Sequence, residues 1–167
     1  MHDESRWPTA KRLEIVVPGN YIDRRPNGTA KEKVTVNNIR WQGAGVDYLN
    51  RLLYSTKCAM EEQGWELTDK PIYMAIIIYC KPTHEIAKRF KQMKKLQQKQ
   101  TLITVQRPSI ESLMRQHIYT LQKLVFKKPS QITASFVLRL YDDEPRTEII
   151  FGQPETVKEL LHDIRNI

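Results

Sequence analysis

Few side chains in this sequence combine type and spacing in a way that does chemistry, and the most suggestive pair is Glu111 with Arg115. They stand four residues apart just after Ser109, a residue type that caps helix N-termini, so a helix starting there carries both on one surface. Glu111 offers a hard oxygen ligand for a divalent ion such as Mg²⁺, which commonly takes one or two carboxylates together with several waters. The plainer reading is that Glu111 favours the positive end of the helix dipole and pairs with Arg115. Asp142, Asp143 and Glu144 are a second acidic group, but beside Pro145 they read as a turn. His117 falls on the apolar face of the same helix as Glu111 and reads as a hydrogen-bonded core histidine. Cys58 and Cys80 form no CxxC and have no His/Cys cluster near them, so they read as reduced, partly buried thiols.

The charge is uneven. The chain of 167 residues carries a net charge of +8. The stretch 81–128 holds twelve basic residues and two acidic ones, a balance of 12 − 2 = +10, whereas the rest has fifteen basic and seventeen acidic. The whole positive excess thus sits in under a third of the chain, which suggests a polyanion partner; a solvated Lys-rich helix is the alternative. Hydrophobic content of 40% excludes wholesale disorder. No apolar run approaches the ~18 residues of a membrane span, and no secretory signal opens the sequence, so a cytoplasmic protein without membrane contact is expected.

Positioning these residues takes a mixed α/β arrangement (α+β), one sheet flanked by helices, in a single domain. Residues 1–12 are polar and read as a flexible N-terminus. An apolar run at 13–17 ends in Pro18 and Gly19, a strand and a turn. Residues 34–39 alternate weakly, as a second strand or an extended loop. Apolar residues at 46, 49, 52, 53, 59 and 60 have helical spacing, and Gly64 stops that helix. The β-branched run at 72–79 suits a central strand. Residues 85–99 are helix-compatible and 102–106 extended. Ser109 caps a helix expected to run to about Val125. Residues 132–141 and 147–151 are strands, and Pro154 suits the first turn of a closing helix with Val157, Leu160, Leu161 and Ile164 as its stripe.

The segment RPSIESLMR at 107–115, followed by LVFKKPSQI at 124–132, resembles the RusA family of Holliday junction resolvases. That family opens a helix with Pro-Asp-x-Asp-Asn-Leu-x-Lys and, about a dozen residues later, places an aromatic, a pair of acids, a small residue, Gln and an aliphatic. Here Pro108, Leu113, Phe126, Gln131 and Ile132 keep that frame. LEIVVPG at 13–19, KPIYMAIII at 70–78 and EPRTEI at 144–149 look like the family's opening, second core and closing strands, so the resemblance covers 13–151, with 152–167 a helix packed on the same domain. The resemblance implies a homodimer acting on four-way junctions in recombination and repair. It also suggests a phage or prophage origin.

The departures bear on catalysis. The family's first acid falls on Ser109, its second on Glu111, its Asn on Ser112 and its Lys on Arg115, while the late acidic pair falls on Lys128 and Pro129. Glu111 and Arg115 are then a vestigial catalytic pair and Glu111 a weak metal ligand. A lysine charge about 6 Å from a divalent ion would repel it by roughly 5 kcal/mol at an effective dielectric of 20. The expectation is a junction binder with reduced or lost nuclease activity, needing no cofactor, or Mg²⁺ if active. Arg24, Arg25, Lys88, Arg89, Lys91, Lys94, Lys95, Lys99, Arg107, Lys127 and Lys128 would contact phosphates. Two alternatives are an active endodeoxyribonuclease with a rebuilt site, and a regulator that binds a protein through Trp41, Trp65 or Tyr54.

Overall fold

The run at 72–80 becomes the middle of a four-stranded sheet. A computed structural model describes residues 11–21, 33–36, 39–42, 44–82, 84–95 and 109–167. In chain order the elements are β1 (Lys11–Pro18), β2 (Lys33–Val36), β3 (Ile39–Gln42), α1 (Ala44–Gln63), β4 (Ile72–Cys80), α2 (His84–Lys95), α3 (Ile110–Leu121), β5 (Ile132–Tyr141), β6 (Arg146–Gln153) and α4 (Val157–Arg165). The mixed α/β expectation holds at this level. The sheet order is β1-β6-β4-β5, with β4 and β5 parallel and the other neighbours antiparallel. Parallel β4 and β5 need a crossover, and the chain between them carries α2 and α3.

Alternation sets which face is buried. Leu13, Ile15 and Val17 of β1 point inward, as do Ile72, Met74, Ile76 and Ile78 of β4 and Ile149 and Phe151 of β6. Against them pack Tyr48 and Leu52 of α1 and Leu113 and Leu121 of α3. The intervening β4 residues Tyr73, Ala75 and Ile77 are buried too, so β4 is covered on both faces, and this is why its sequence runs apolar without alternating. The 3₁₀ turn Pro129–Gln131 leads into β5. The acidic turn at 142–145 passes over the end of β4 to reach β6, and the Asp142 N–H donates to the Cys80 carbonyl at 3.0 Å.

Four expectations need correction. The weak strand at 34–39 is a two-stranded hairpin instead, Lys33 pairing with Gln42, and it forms a separate sheet. The helix after Ser109 ends at Leu121, not Val125: Lys123 takes a positive φ of 66°, and the turn drives Val125 and Phe126 into the core. There the Phe126 ring lies 5.9 Å from that of Phe151. The closing helix starts after Pro154, capped by Thr156, whose side chain accepts from the Glu159 N–H at 3.2 Å. Its stripe is also displaced: Val157 is 71% exposed, and the buried residue is Asp163, which accepts from the Tyr73 hydroxyl at 3.1 Å. Tyr73 reaches it by lying across Gly152, where a Cβ would stand 2.1 Å from the ring.

Candidate nucleic-acid interface

Ser109 caps α3 as expected, its Oγ accepting from the Ser112 N–H at 3.2 Å. The position that the resemblance assigns to a first acid is thus occupied by a hydroxyl already used to start the helix. Arg115 Nη2 donates to Glu111 Oε1 at 2.9 Å, and the two side chains are 65% and 81% exposed. An exposed i, i+4 pair of this kind adds only about 0.3–0.5 kcal/mol to the helix.

Lys128 and Pro129 stand at the other end of α3. Met114 Sδ lies 4.0 Å from Ser135 Oγ, while Leu121 ends near the bridge of Phe126 with Thr68, at the start of β4. At 1.5 Å per residue, Glu111 is about 15 Å back along the axis from Leu121. Lys128 follows Leu121 in the chain, after the end of α3 away from Glu111. Lys127 forms an ion pair with Asp69 at 3.7 Å. The Lys128 N–H donates to Gln131 Oε1 at 2.6 Å, and Gln131 Nε2 donates to the carbonyls of Thr68 and Lys70 at 3.0 and 2.9 Å. Gln131 therefore ties the start of β5 to the segment before β4 and leaves the Lys128 side chain outside.

The basic surface is partly described. Lys88, Arg89 and Lys91 are exposed on α2. Lys94 and Lys95 belong to the same helix, but their side chains lie outside what the structure describes, as do Arg24, Arg25, Lys99, Arg107 and residues 102–106, which the sequence had suggested as extended. Among the described residues, no group of three or more His, Cys, Asp or Glu is placed to hold a metal. Glu111 is one exposed carboxylate with no second acid beside it among the described residues, and does not fit a Mg²⁺ site.

The acidic turn is structural. Asp142 Oδ1 accepts from the Glu144 N–H at 3.0 Å, and Asp142 Oδ2 meets Arg146 Nη1 at 3.3 Å. The Glu144 N–H and then Arg146 hold the Asp142 carboxyl below its ordinary range. The Arg146 guanidinium also bonds Glu148 at 2.8 Å and lies 3.8 Å from the centre of the Tyr79 ring.

His117 is buried, as its place on the apolar face implies. Its Nδ1 lies 2.7 Å from the Leu113 carbonyl, which can only accept, so Nδ1 carries the proton and Nε2 accepts from the Tyr48 hydroxyl at 2.6 Å. Burial lowers its pKa to about 4 and pushes that of Tyr48 up. Sequence reasoning missed Tyr48 and Tyr21, whose rings stack edge-on at 4.6 Å, with Tyr21 bonded to Gln116 on α3. The Tyr spacing gave no sign that they converge on His117.

Cys58 and Cys80 are free and half-buried. Trp65 is buried and donates to the Val125 carbonyl at 3.2 Å, which removes it as a protein-binding anchor, whereas Tyr54 is 71% exposed and Trp41's side chain lies outside the description. No helix among the described residues is long and apolar enough to cross a membrane. No protein-family model matches the chain, and no curated protein matches it.

Proposed function

We propose that the chain is a cytoplasmic, homodimeric binder of Holliday junctions or related branched DNA on a RusA-like fold, with little or no phosphodiester cleavage. The observation that carries this reading is the state of Glu111: the one acid kept from the family frame is exposed and engaged by Arg115 at 2.9 Å. A divalent ion there would gain a single carboxylate, too little for an ion that gives up its waters reluctantly. The cations are disposed the other way. Lys88, Arg89 and Lys91 face water on α2, and Lys128 is exposed at the start of β5. Such side chains neutralise phosphates and release counterions without reading bases, so they grip a backbone by its path.

The test is an electrophoretic titration of a four-way junction and a linear duplex of equal length. With about six phosphates neutralised, junction affinity drops roughly a thousandfold between 50 and 200 mM salt. Junction is preferred over duplex throughout. A flat salt response, or equal affinity for the two substrates, contradicts the proposal.

A further inference from the structure

The two outer strands of the sheet are finished differently. β1 is guarded: the Gln63 side chain donates to the Glu14 carbonyl at 2.7 Å and accepts from the Glu14 N–H at 2.8 Å, occupying a rung that a new strand would use. Beyond it Arg51 bonds the carbonyls of Pro18 and Asn20. β1 itself carries Lys11, Arg12 and Glu14 and ends in Pro18, all devices that discourage strand addition. β5 is the last strand on the opposite side among the described residues. It is ten residues long, contains no proline, and has Arg139 as its one charged residue. A long strand with a single charge at this position is a template for another strand.

We infer that β5 pairs antiparallel with β5 of a second copy of this chain, about a two-fold axis normal to the sheet at Phe136. Charge selects this partner. The chain entering β5 is basic, with Lys127 and Lys128 exposed, and the chain leaving it is acidic, with Asp143 and Glu144 exposed. Antiparallel self-pairing sets each basic end against the partner's acidic end. Parallel pairing would set like charges together. Asp69 beside Lys127, and Arg146 and Lys81 beside the acidic turn, reduce the contrast at each end without reversing it. Side chains agree with the same register. Ala134, Phe136 and Leu138 share the face of the sheet away from α3, since Ser135 on the opposite face touches Met114. Leu138, 46% exposed, is then covered by standing across from the partner's Ala134, and the two Phe136 rings meet.

The inference deepens the proposed function and rests on it for its purpose. A two-fold axis normal to the sheet keeps both copies' α3 helices on one side of an eight-stranded sheet, so two equivalent Glu111–Arg115 surfaces face the same way. That is what a two-fold symmetric junction requires of its binder.

Cysteine cross-linking tests the register without DNA. In a Cys58→Ser, Cys80→Ser background, Phe136→Cys forms a disulfide-linked dimer on mild oxidation. Directly opposed Cα atoms stand about 4.5–5.5 Å apart, within disulfide reach. Leu138→Cys does not cross-link, because its counterpart is the partner's Ala134. In sedimentation at tens of micromolar, Leu138→Lys shifts the unlinked chain to monomer. Glu144→Lys weakens the dimer several-fold, and adding Lys128→Glu restores it. A parent chain that sediments as a monomer, or a dimer untouched by Leu138→Lys and not linked at 136, overturns the pairing. Junction binding is scored separately: a dimer through β5 that ignores junctions retires the proposed function alone, and a monomer that binds them retires this inference alone.

Discussion

One helix carries two polar pairs of similar length and opposite character. On α3, His117 meets Tyr48 at 2.6 Å inside the core, and a turn and a half earlier Glu111 meets Arg115 at 2.9 Å in water. The inner pair has no solvent to fall back on, so losing either partner strands the other at a cost of about 1–3 kcal/mol. The outer pair exchanges protein contacts for water at almost no cost. Burial, not bond length, therefore separates a residue that holds the fold from one available to meet a polyanion.

The sharpest way to break that contrast is to truncate the buried member. His117→Ala removes the imidazole that accepts from the Tyr48 hydroxyl and opens a cavity, and we expect about 3 kcal/mol of stability to disappear in urea unfolding. A loss under 1 kcal/mol would mean the cluster is looser than its distances imply. The same residue predicts a pH dependence of nearly equal size. Its folded pKa, about 4, lies below the 6.5 of the unfolded chain, so the unfolded state takes up the proton first. Stability attributable to His117 is intact above pH 6.5, declines as pH falls towards 4, and is lost by about 3 kcal/mol at the bottom of that window. Subtracting the unfolding profile of His117→Gln from that of the parent isolates this contribution, and a zero difference would refute it.

Effects on the exposed side appear in binding, not in folding. Replacing Lys88, Arg89 and Lys91 together by Gln should make the logarithmic salt slope of junction binding shallower by roughly 3, one per phosphate contact, with the melting temperature unchanged. The smallest effect belongs to Glu111→Ala, where we expect a stability change within about 0.5 kcal/mol. Equal stability losses from Glu111→Ala and His117→Ala would erase the comparison.

How far the sequence could be read follows from the range of each signal. The run at 72–80 announced a central strand because nine apolar residues can satisfy both faces of a sheet, and β4 is buried on both. Ser109 announced a helix start because capping is local. The end of α3 was not legible: 122–125 keep helical spacing of apolar residues, but the chain turns so that Phe126 packs on Phe151, a long-range contact. The hairpin at Lys33–Gln42 was half-seen, since alternation marked one strand and gave no register for its partner. Within the candidate site, Glu111–Arg115 followed from spacing alone. The placement of Lys128 beyond the far end of α3 did not, because it depends on which way α3 runs along β5. Arg24, Arg25, Lys99 and Arg107 lie outside the described residues, so the reading of the basic surface rests on α2 and the entrance to β5.

The most direct measurement is a cleavage assay: an end-labelled four-way junction incubated with the parent chain in saturating Mn²⁺ or Mg²⁺, at salt low enough for full binding, and run on a denaturing gel. A junction that is fully bound and stays intact is the result expected of a binder whose remaining acid is held by Arg115. Paired symmetrical nicks that disappear in Glu111→Ala would show a working metal site and contradict the account.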